Sequence, residues 1–325
     1  VIRFIKGNEG MALIMTILVI SLIVALTLQF NTSMRSNLQA AVNLRDGIKL
    51  GCIAKSGING ALAVLHEDAS SGNEDTLRED WAHTKLFSES SSSLFNEGKF
   101  MLEITDLSGK IQLSQLLNKD GNYNNTQKSL LIRFLNFPEF DLDPEEVENI
   151  VDALKDWIDR DNETTRFGAE DAYYQALEKP YPCKNAPIEF LEELLFVRGI
   201  TKELLYGLDE KPGIAQYLSP QGDGKININT ADILILRSLS DDIDQERAED
   251  MVAYRENEDN DLSDPKWYKN VPGMTDVSIP DSLITTSSTY FKIISEGFKG
   301  SMSKIIEAAV ERKEKTLNIL YWRIF

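Results

Sequence analysis

Histidine and cysteine are nearly missing from this 325-residue chain, which has two of each: His66, His83, Cys52 and Cys183. Neither pair shows the short spacing from which zinc or thiolate sites are built, and there is no G-x-S-x-G turn, phosphate loop or zinc-protease helix motif. Catalysis therefore has little support, and carboxylates are so abundant that any acid–base pair drawn from them is arbitrary. Positive charge is also short. Against 52 Asp and Glu stand 34 Lys and Arg, a formal net charge of −18. A surface with that balance has no cation excess to displace counterions from a phosphate backbone, which disfavours nucleic acid as a partner. Charge of either sign is absent between Met11 and Met34. Elsewhere the composition is ordinary, 42% hydrophobic and 26% charged. That excludes wholesale disorder, and the length suggests about two domains.

The uncharged segment is the most distinctive feature present. Met11 to Phe30 is interrupted only by Thr16, Ser21, Thr27 and Gln29. At 1.5 Å per residue, 20 such residues span a hydrocarbon core of ~30 Å as one helix. Arg3 and Lys6 precede it. Basic residues on that side place the amino terminus in the cytoplasm and the remainder outside, as a single-pass protein. A secretory signal would carry small residues after its apolar core. Here Gly10 comes before it.

The run Lys6-Gly-Asn-Glu-Gly10-Met11-Ala-Leu-Ile14 resembles the leader of type IV prepilins and pseudopilins. The resemblance implies that a prepilin peptidase cuts after Gly10 and methylates Met11, leaving the apolar helix as anchor and assembly surface. Most pilins carry glutamate at the fifth mature position, whereas here that position is Met15. In this the chain resembles the K-type minor pseudopilin of type II secretion, held to cap the filament tip.

Downstream, Leu38, Ala41, Val42, Leu44, Ile48, Cys52, Ile53, Ile58, Ala61, Leu62, Val64 and Leu65 continue a helical pattern, with Gly47, Gly51, Gly57 and Gly60 permitting close packing on a sheet. Ser88 to Ser93 reads as a loop. Phe100, Leu102 and Ile104 alternate, Ser108-Gly109 suggests a turn, and Ile111 and Leu113 read as a returning hairpin strand. The next strand patterns are Tyr290 to Ser295, Lys304 to Arg312 and Thr316 to Phe325. Between them Gln127–Leu135, Pro144–Ile158, Pro187–Val197 and Asp244–Asn257 read as helices. The expected fold is α+β: a pilin-like long helix on an antiparallel sheet, with a large inserted all-α domain of helix-hairpin-helix or SAM-like type. Its expected parts are a leader at 1–10, an anchor at 11–34, the first α/β portion at 35–117, the insertion at 118–275 and closing strands at 276–325.

The sharpest local motif runs Asp156-Trp-Ile-Asp159-Arg-Asp161-Asn-Glu163 to Gly168-Ala-Glu170-Asp171-Ala-Tyr-Tyr174. Counted from Asp159, carboxylates fall at positions one, three, five and twelve, the spacing of a Ca²⁺ loop, although Thr164 stands where such loops bend at glycine. A solvated acidic loop is the alternative. K-type pseudopilins have a similar D-W-x-D-x-D…G-x-E-D-x-Y-Y run in a calcium-binding helical domain. The resemblance implies Asp159, Asp161, Glu163, Glu170 and Asp171 as ligands for one or two structural Ca²⁺ ions. A second run, Glu256, Glu258, Asp259, Asp261 and Asp264, reads as a solvated loop or a second ion site.

The segment Gly224-Lys-Ile-Asn227-Ile-Asn229-Thr-Ala-Asp232, continued by Leu234, Leu236 and Arg247 to Arg255, resembles a helix-hairpin-helix module, a fold that often presents backbone amides to DNA phosphate. Here Asp241, Asp242 and Asp244 occupy the hairpin, and residues 222–270 hold 13 acidic and six basic side chains. Packing is the expected role, with Asn227 and Asn229 fixing the turn and helix start. Cys52 and Cys183 suit a single bridge in an oxidising compartment, or two separate buried thiols.

Taken over nearly the whole chain, the resemblance implies a non-enzymatic subunit of the bacterial inner membrane with a periplasmic carboxyl-terminal domain. Its implied partners are the I-, J- and H-type minor pseudopilins and the major pseudopilin, and its role is to cap the pseudopilus tip and help start assembly. The alternatives are a minor pilin priming a type IV pilus and, further off, a periplasmic DNA-binding protein.

Overall fold

The chain is described by a computed structural model over residues 9–70, 72 and 74–325. The leader up to Asn8, with Arg3 and Lys6, lies outside these residues. In order, the elements are α1 (Glu9–Asp68), α2 (Lys85–Ser90), β1 (Lys99–Asp106), β2 (Ile111–Gln112), α3 (Asn125–Leu135), α4 (Pro144–Ile158), α5 (Asp171–Tyr174) and α6 (Lys202–Tyr206). After these come β3 (Gly207–Leu208), β4 (Lys211–Pro212), β5 (Leu218–Ser219), β6 (Ile226–Asn227), α7 (Ile233–Ser238), α8 (Gln245–Glu256), β7 (Ile284–Thr285), β8 (Tyr290–Lys299), β9 (Met302–Lys313) and β10 (Thr316–Ile324).

One helix thus joins the apolar anchor to the globular part. Its outer segment, Met11 to Phe30, exposes every large apolar side chain by half or more. The hydroxyls of Thr16 and Thr27 donate to carbonyls of their own helix, Leu13 O at 2.8 Å and Ile23 O at 2.7 Å. That internal satisfaction is what a polar side chain needs in hydrocarbon. The far end of α1 buries a stripe, Leu50, Ile53, Ala54, Ile58, Ala61 and Leu65, against Phe100, Leu102, Ile104, Phe291, Ile293, Ile306 and Val310. Burying each such Leu or Ile contributes about 1.5–3 kcal/mol. Two glycines let the helix settle on the sheet. A Cβ on Gly297 would lie 2.5 Å from Leu50 O, and one on Gly57 would strike Ser295 and Phe100. Gly47, Gly51 and Gly60 have open space around them instead, so only Gly57 of the four serves the packing expected from sequence.

The sheet has the order β1-β8-β9-β10, antiparallel throughout. Its three carboxyl-terminal strands match the expected ones closely. The expected hairpin after β1 does not form. β1 pairs with β8, Lys99 facing Phe298 and Asp106 facing Phe291, while Ile111–Gln112 leaves the sheet and pairs in parallel with Leu218–Ser219. The open edge of β1 is covered by the serine-rich stretch read as a loop. Ser88 Oγ accepts from Leu102 N at 3.0 Å, and Ser91 Oγ accepts from Phe100 N and donates to Phe100 O. Hydroxyls therefore occupy the edge where alternation alone suggested a strand.

Because β1 and β8 are neighbours, the chain from 107 to 289 departs from and returns to one sheet position. It has its own core, in which Leu130, Phe134, Val151, Leu154, Ile235, Met251 and Trp267 are buried. Ile111, Leu113, Leu116, Val277, Ile279, Leu283 and Ile284 join that core, so it reaches past the expected limits of 118 and 275 on both sides. Nor is this lobe purely helical. Short bridges β2–β5, β3–β4 and β6–β7 punctuate it, and Leu191–Phe196, expected within a helix, is a 3-10 turn.

Candidate functional site

α4 carries the best-formed amphipathic pattern of the inserted lobe. It starts at Pro144 behind Asp143, whose backbone N–H donates to Glu146 Oε2 at 2.9 Å, a capping-box contact. Val147, Ile150, Val151, Leu154 and Trp157 form its buried face. That register carries Asp152, Asp156 and Asp159 inward as well, and all three are buried. Carboxylates near a helix carboxyl end oppose the helix dipole, so they need compensation.

Two of the three find it within the protein. Asp156 accepts from Thr165 N at 3.0 and 3.1 Å, and Asp152 accepts from Phe167 N at 3.3 Å and from the Tyr123 hydroxyl at 2.6 Å. These bonds fold the loop 159–170 back over the end of α4. Gly168 sits so close to Asp156 that a Cβ there would lie 2.0 Å from its Oδ2. Asp159 is different. Its Oδ2 accepts from Lys155 Nζ at 2.6 Å, while its Oδ1 is buried without a partner. Both carboxylate oxygens of Glu170, 2% exposed, are likewise buried and unpartnered. Ligand atoms of Asp159, Asp161 and Glu170 lie within 4.8 Å of one another. Burial, with the charges of Asp156 and Asp159, pushes Glu170 up to about 7.

Three hard oxygen ligands converge here, and three of their atoms lack any donor. That fits a hard divalent cation such as Ca²⁺ rather than a soft metal. Of the five ligand candidates, the structure brings Asp159, Asp161 and Glu170 together and leaves out two. Glu163 is exposed, and its backbone N–H donates to Asp161 Oδ1 at 2.8 Å. Asp171 Oδ1 accepts from Cys183 N at 2.7 Å, tying the loop to the segment behind it. Sequence reading passed over Asp156 as the loop's internal brace and Lys155 as the counter-ion; the latter could have been read from its i, i+4 spacing to Asp159.

The second acidic run is built otherwise. Arg78, from the loop after α1, donates to the carbonyls of Arg255 (2.9 Å), Asn257 (2.5 Å) and Asn260 (3.3 Å). A guanidinium thus occupies the mouth of that loop. Asp261 and Asp264 accept from nearby backbone amides at the surface.

Neighbouring residues join the lobes. Asn227, buried, donates to Asp75 O at 3.0 Å and Ser288 Oγ at 2.7 Å. Asn229 accepts from Trp267 Nε1 at 2.7 Å. The helix start expected of these asparagines belongs instead to Asp232, which accepts from Leu234 N. Arg312 pairs with Asp75 and, at 2.6 Å, with Asp68. In the hairpin, Asp241 projects to solvent and Asp244 caps α8 by accepting from Arg247 N. The disulfide expected between Cys52 and Cys183 is not formed. Cys52 is exposed on α1, whereas Cys183 is buried in the other lobe, where its thiol faces Asp156 O at 3.4 Å and burial pushes it up to about 12.

A long half-exposed helix laid on a four-stranded antiparallel sheet, interrupted by a second lobe at one strand boundary, defines a pilin-like subunit with an insertion. Residues 109–210 match the family model for protein K of the type II secretion system. Type II secretion system protein K of Aeromonas hydrophila is 25% identical over 309 residues, 88% of each chain. That of Pseudomonas aeruginosa is 25% identical over 316 residues, 94% of this chain and 90% of the relative. A shorter match, 44% over 57 residues, reaches protein K of Pectobacterium carotovorum. In fold, the chain is similar to one in the crystal structure of the GspK-GspI-GspJ complex of enterotoxigenic Escherichia coli. There the TM-score is 0.69 at 18% identity, with 87% of this chain and 98% of that one covered. The K-type resemblance read from the sequence is thereby shown: this chain carries the protein K domain of type II secretion, on the fold found in that complex.

Proposed function

We propose that the chain is a non-enzymatic minor pseudopilin that caps the tip of the type II secretion pseudopilus and helps start its assembly. In this reading prepilin peptidase cuts after Gly10 and Met11 is methylated. The apolar end of α1 crosses the bacterial inner membrane, with the globular lobes periplasmic. The observation that carries the reading is the division of α1: one half buries a stripe on the sheet, and the other leaves some 20 apolar residues without a protein partner. Such a helix is stable in lipid or in a bundle of like helices.

The missing fifth-position glutamate supports a terminal place. A carboxylate in hydrocarbon is costly unless a neighbouring subunit's terminal amine neutralises it, so a subunit with nothing above it has no use for one. The partners are the I-, J- and H-type minor pseudopilins and the major pseudopilin. The structural likeness to a chain from a K–I–J complex favours the first two. An apolar groove of about 560 Å³ between α1 and β10, lined by Leu44, Ile48, Trp322 and Ile324, provides surface for such contacts. Asp159, Asp161 and Glu170 would hold a structural Ca²⁺ ion, which supplies positive charge to a buried carboxylate set and no chemistry.

Deletion of the gene tests the role. Folded exoproteins should accumulate in the periplasm, and a copy restored in trans should release them. Normal secretion alongside loss of surface pili would overturn the reading in favour of pilus priming.

A further inference from the structure

Among the described residues, the carboxylates of Asp159, Asp161 and Glu170 make one ion pair in all, that between Lys155 and Asp159. It is well enclosed: the Lys155 side chain is 15% exposed and that of Asp159 1%. The ammonium stands one helical turn before Asp159 on α4, beside the ring of Tyr123 at 5.9 Å. Lys128 approaches the same ring but pairs with Asp152, one turn further from the loop. Four carboxylates, from Asp156, Asp159, Asp161 and Glu170, therefore meet one cation of the chain's own at the end of α4. Glu170 has none within reach, and its oxygens stay unpartnered.

We propose that Lys155 is a built-in counter-ion that sets the calcium affinity of this loop: it holds the carboxylate set together in the ion-free protein and weakens the hold on the divalent ion. The inference rests on the calcium reading above. A fixed positive charge beside the ligands offsets part of their repulsion when no ion is bound, and repels the ion when it enters. By linkage, a side chain that stabilises the ion-free state more than the bound state lowers affinity by the same factor. This arrangement lets the lobe fold before it meets calcium, which a fully uncompensated cluster of buried carboxylates would oppose.

The test is calorimetric titration of the detergent-solubilised full chain with calcium chloride, paired with melts in chelator and in calcium. Lys155→Met should bind of order tenfold more tightly. It should also melt lower in chelator and gain more from calcium than the parent chain does. Lys155→Arg, which keeps the charge, should behave as the parent. If Lys155→Met unfolds without the ion, Lys155→Gln at calcium concentrations that keep it folded gives the same comparison. Equal or weaker binding by the neutral variants, against a parent that binds, overturns the counter-ion role and leaves the calcium site standing. A parent chain that binds no calcium overturns both.

Discussion

Two loops of the inserted lobe look alike in sequence and differ in kind. Residues 159–170 and 256–264 are both crowded with carboxylates, yet only the first turns them inward. There, Asp159 and Glu170 are buried with oxygens that make no well-formed hydrogen bond. In the second, the inward-facing groups are backbone carbonyls, and Arg78 from the other lobe fills them. The carboxylates of that loop close small turns at the surface. Acidic composition does not distinguish a cation site from a solvated turn. The distinction lies in which oxygens are left without a partner when the chain folds.

Substitutions at the two loops should separate them most sharply. Arg78→Ala takes four charge-assisted bonds, to three carbonyls, from the junction between lobes. It should cost about 2–4 kcal/mol, in chelator and in calcium alike. Glu170→Gln should do the reverse: its melt in chelator should match or exceed that of the parent, while the rise produced by calcium disappears. For an ion at 100 times its dissociation constant that rise is worth about 2.7 kcal/mol. Denaturant melts under the two conditions read both. Calcium-dependent destabilisation by Arg78→Ala would erase the contrast.

A smaller effect concerns the junction itself. Burial pushes Asp75 up to about 7, ahead of the opposing pull of Arg312. A carboxyl raised above its unfolded value contributes stability that is full below the unfolded value, near 3.8, and is lost as pH rises towards 7. In chelator, where Glu170 is raised in the same way, the melting temperature should therefore decline from about pH 4 to 7, and Asp75→Asn should remove part of that decline. An unchanged slope would remove Asp75 from the pH response.

The readable parts of this protein were those whose information is local. The register of α4 and the last three strands each follow from a pattern a few residues long, and the structure places them within a few residues of expectation; the apolar run from Met11 is as local, and it lies within α1. The hairpin after β1 failed because alternation specifies a strand but not its partner; the partner of β1 lies nearly 200 residues away, and Ser88 and Ser91 cover the other edge. In the acidic loop 159–170, spacing named Asp159, Asp161 and Glu170, which the structure gathers, together with Glu163, which it leaves exposed, since a Ca²⁺-loop count assumes a bend that Thr164 does not supply. Arg78, Asp75 and Arg312 were invisible: the partners named above for their side chains are 177 to 244 residues distant. The bridge between Cys52 and Cys183 failed for the related reason that cysteine counting ignores where each residue lies, Cys52 on the exposed face of α1 and Cys183 in the core of the inserted lobe.

The central claim, a K-type subunit acting in a minor pseudopilin assembly, is tested most directly by co-purification. Every buried residue named for either core lies beyond residue 45, so a fragment from Arg35 retains both. Expressed with the corresponding fragments of the I- and J-type pseudopilins of its own secretion system, it should elute as one ternary complex. A chain that elutes alone, with the other two paired or free, would contradict the account.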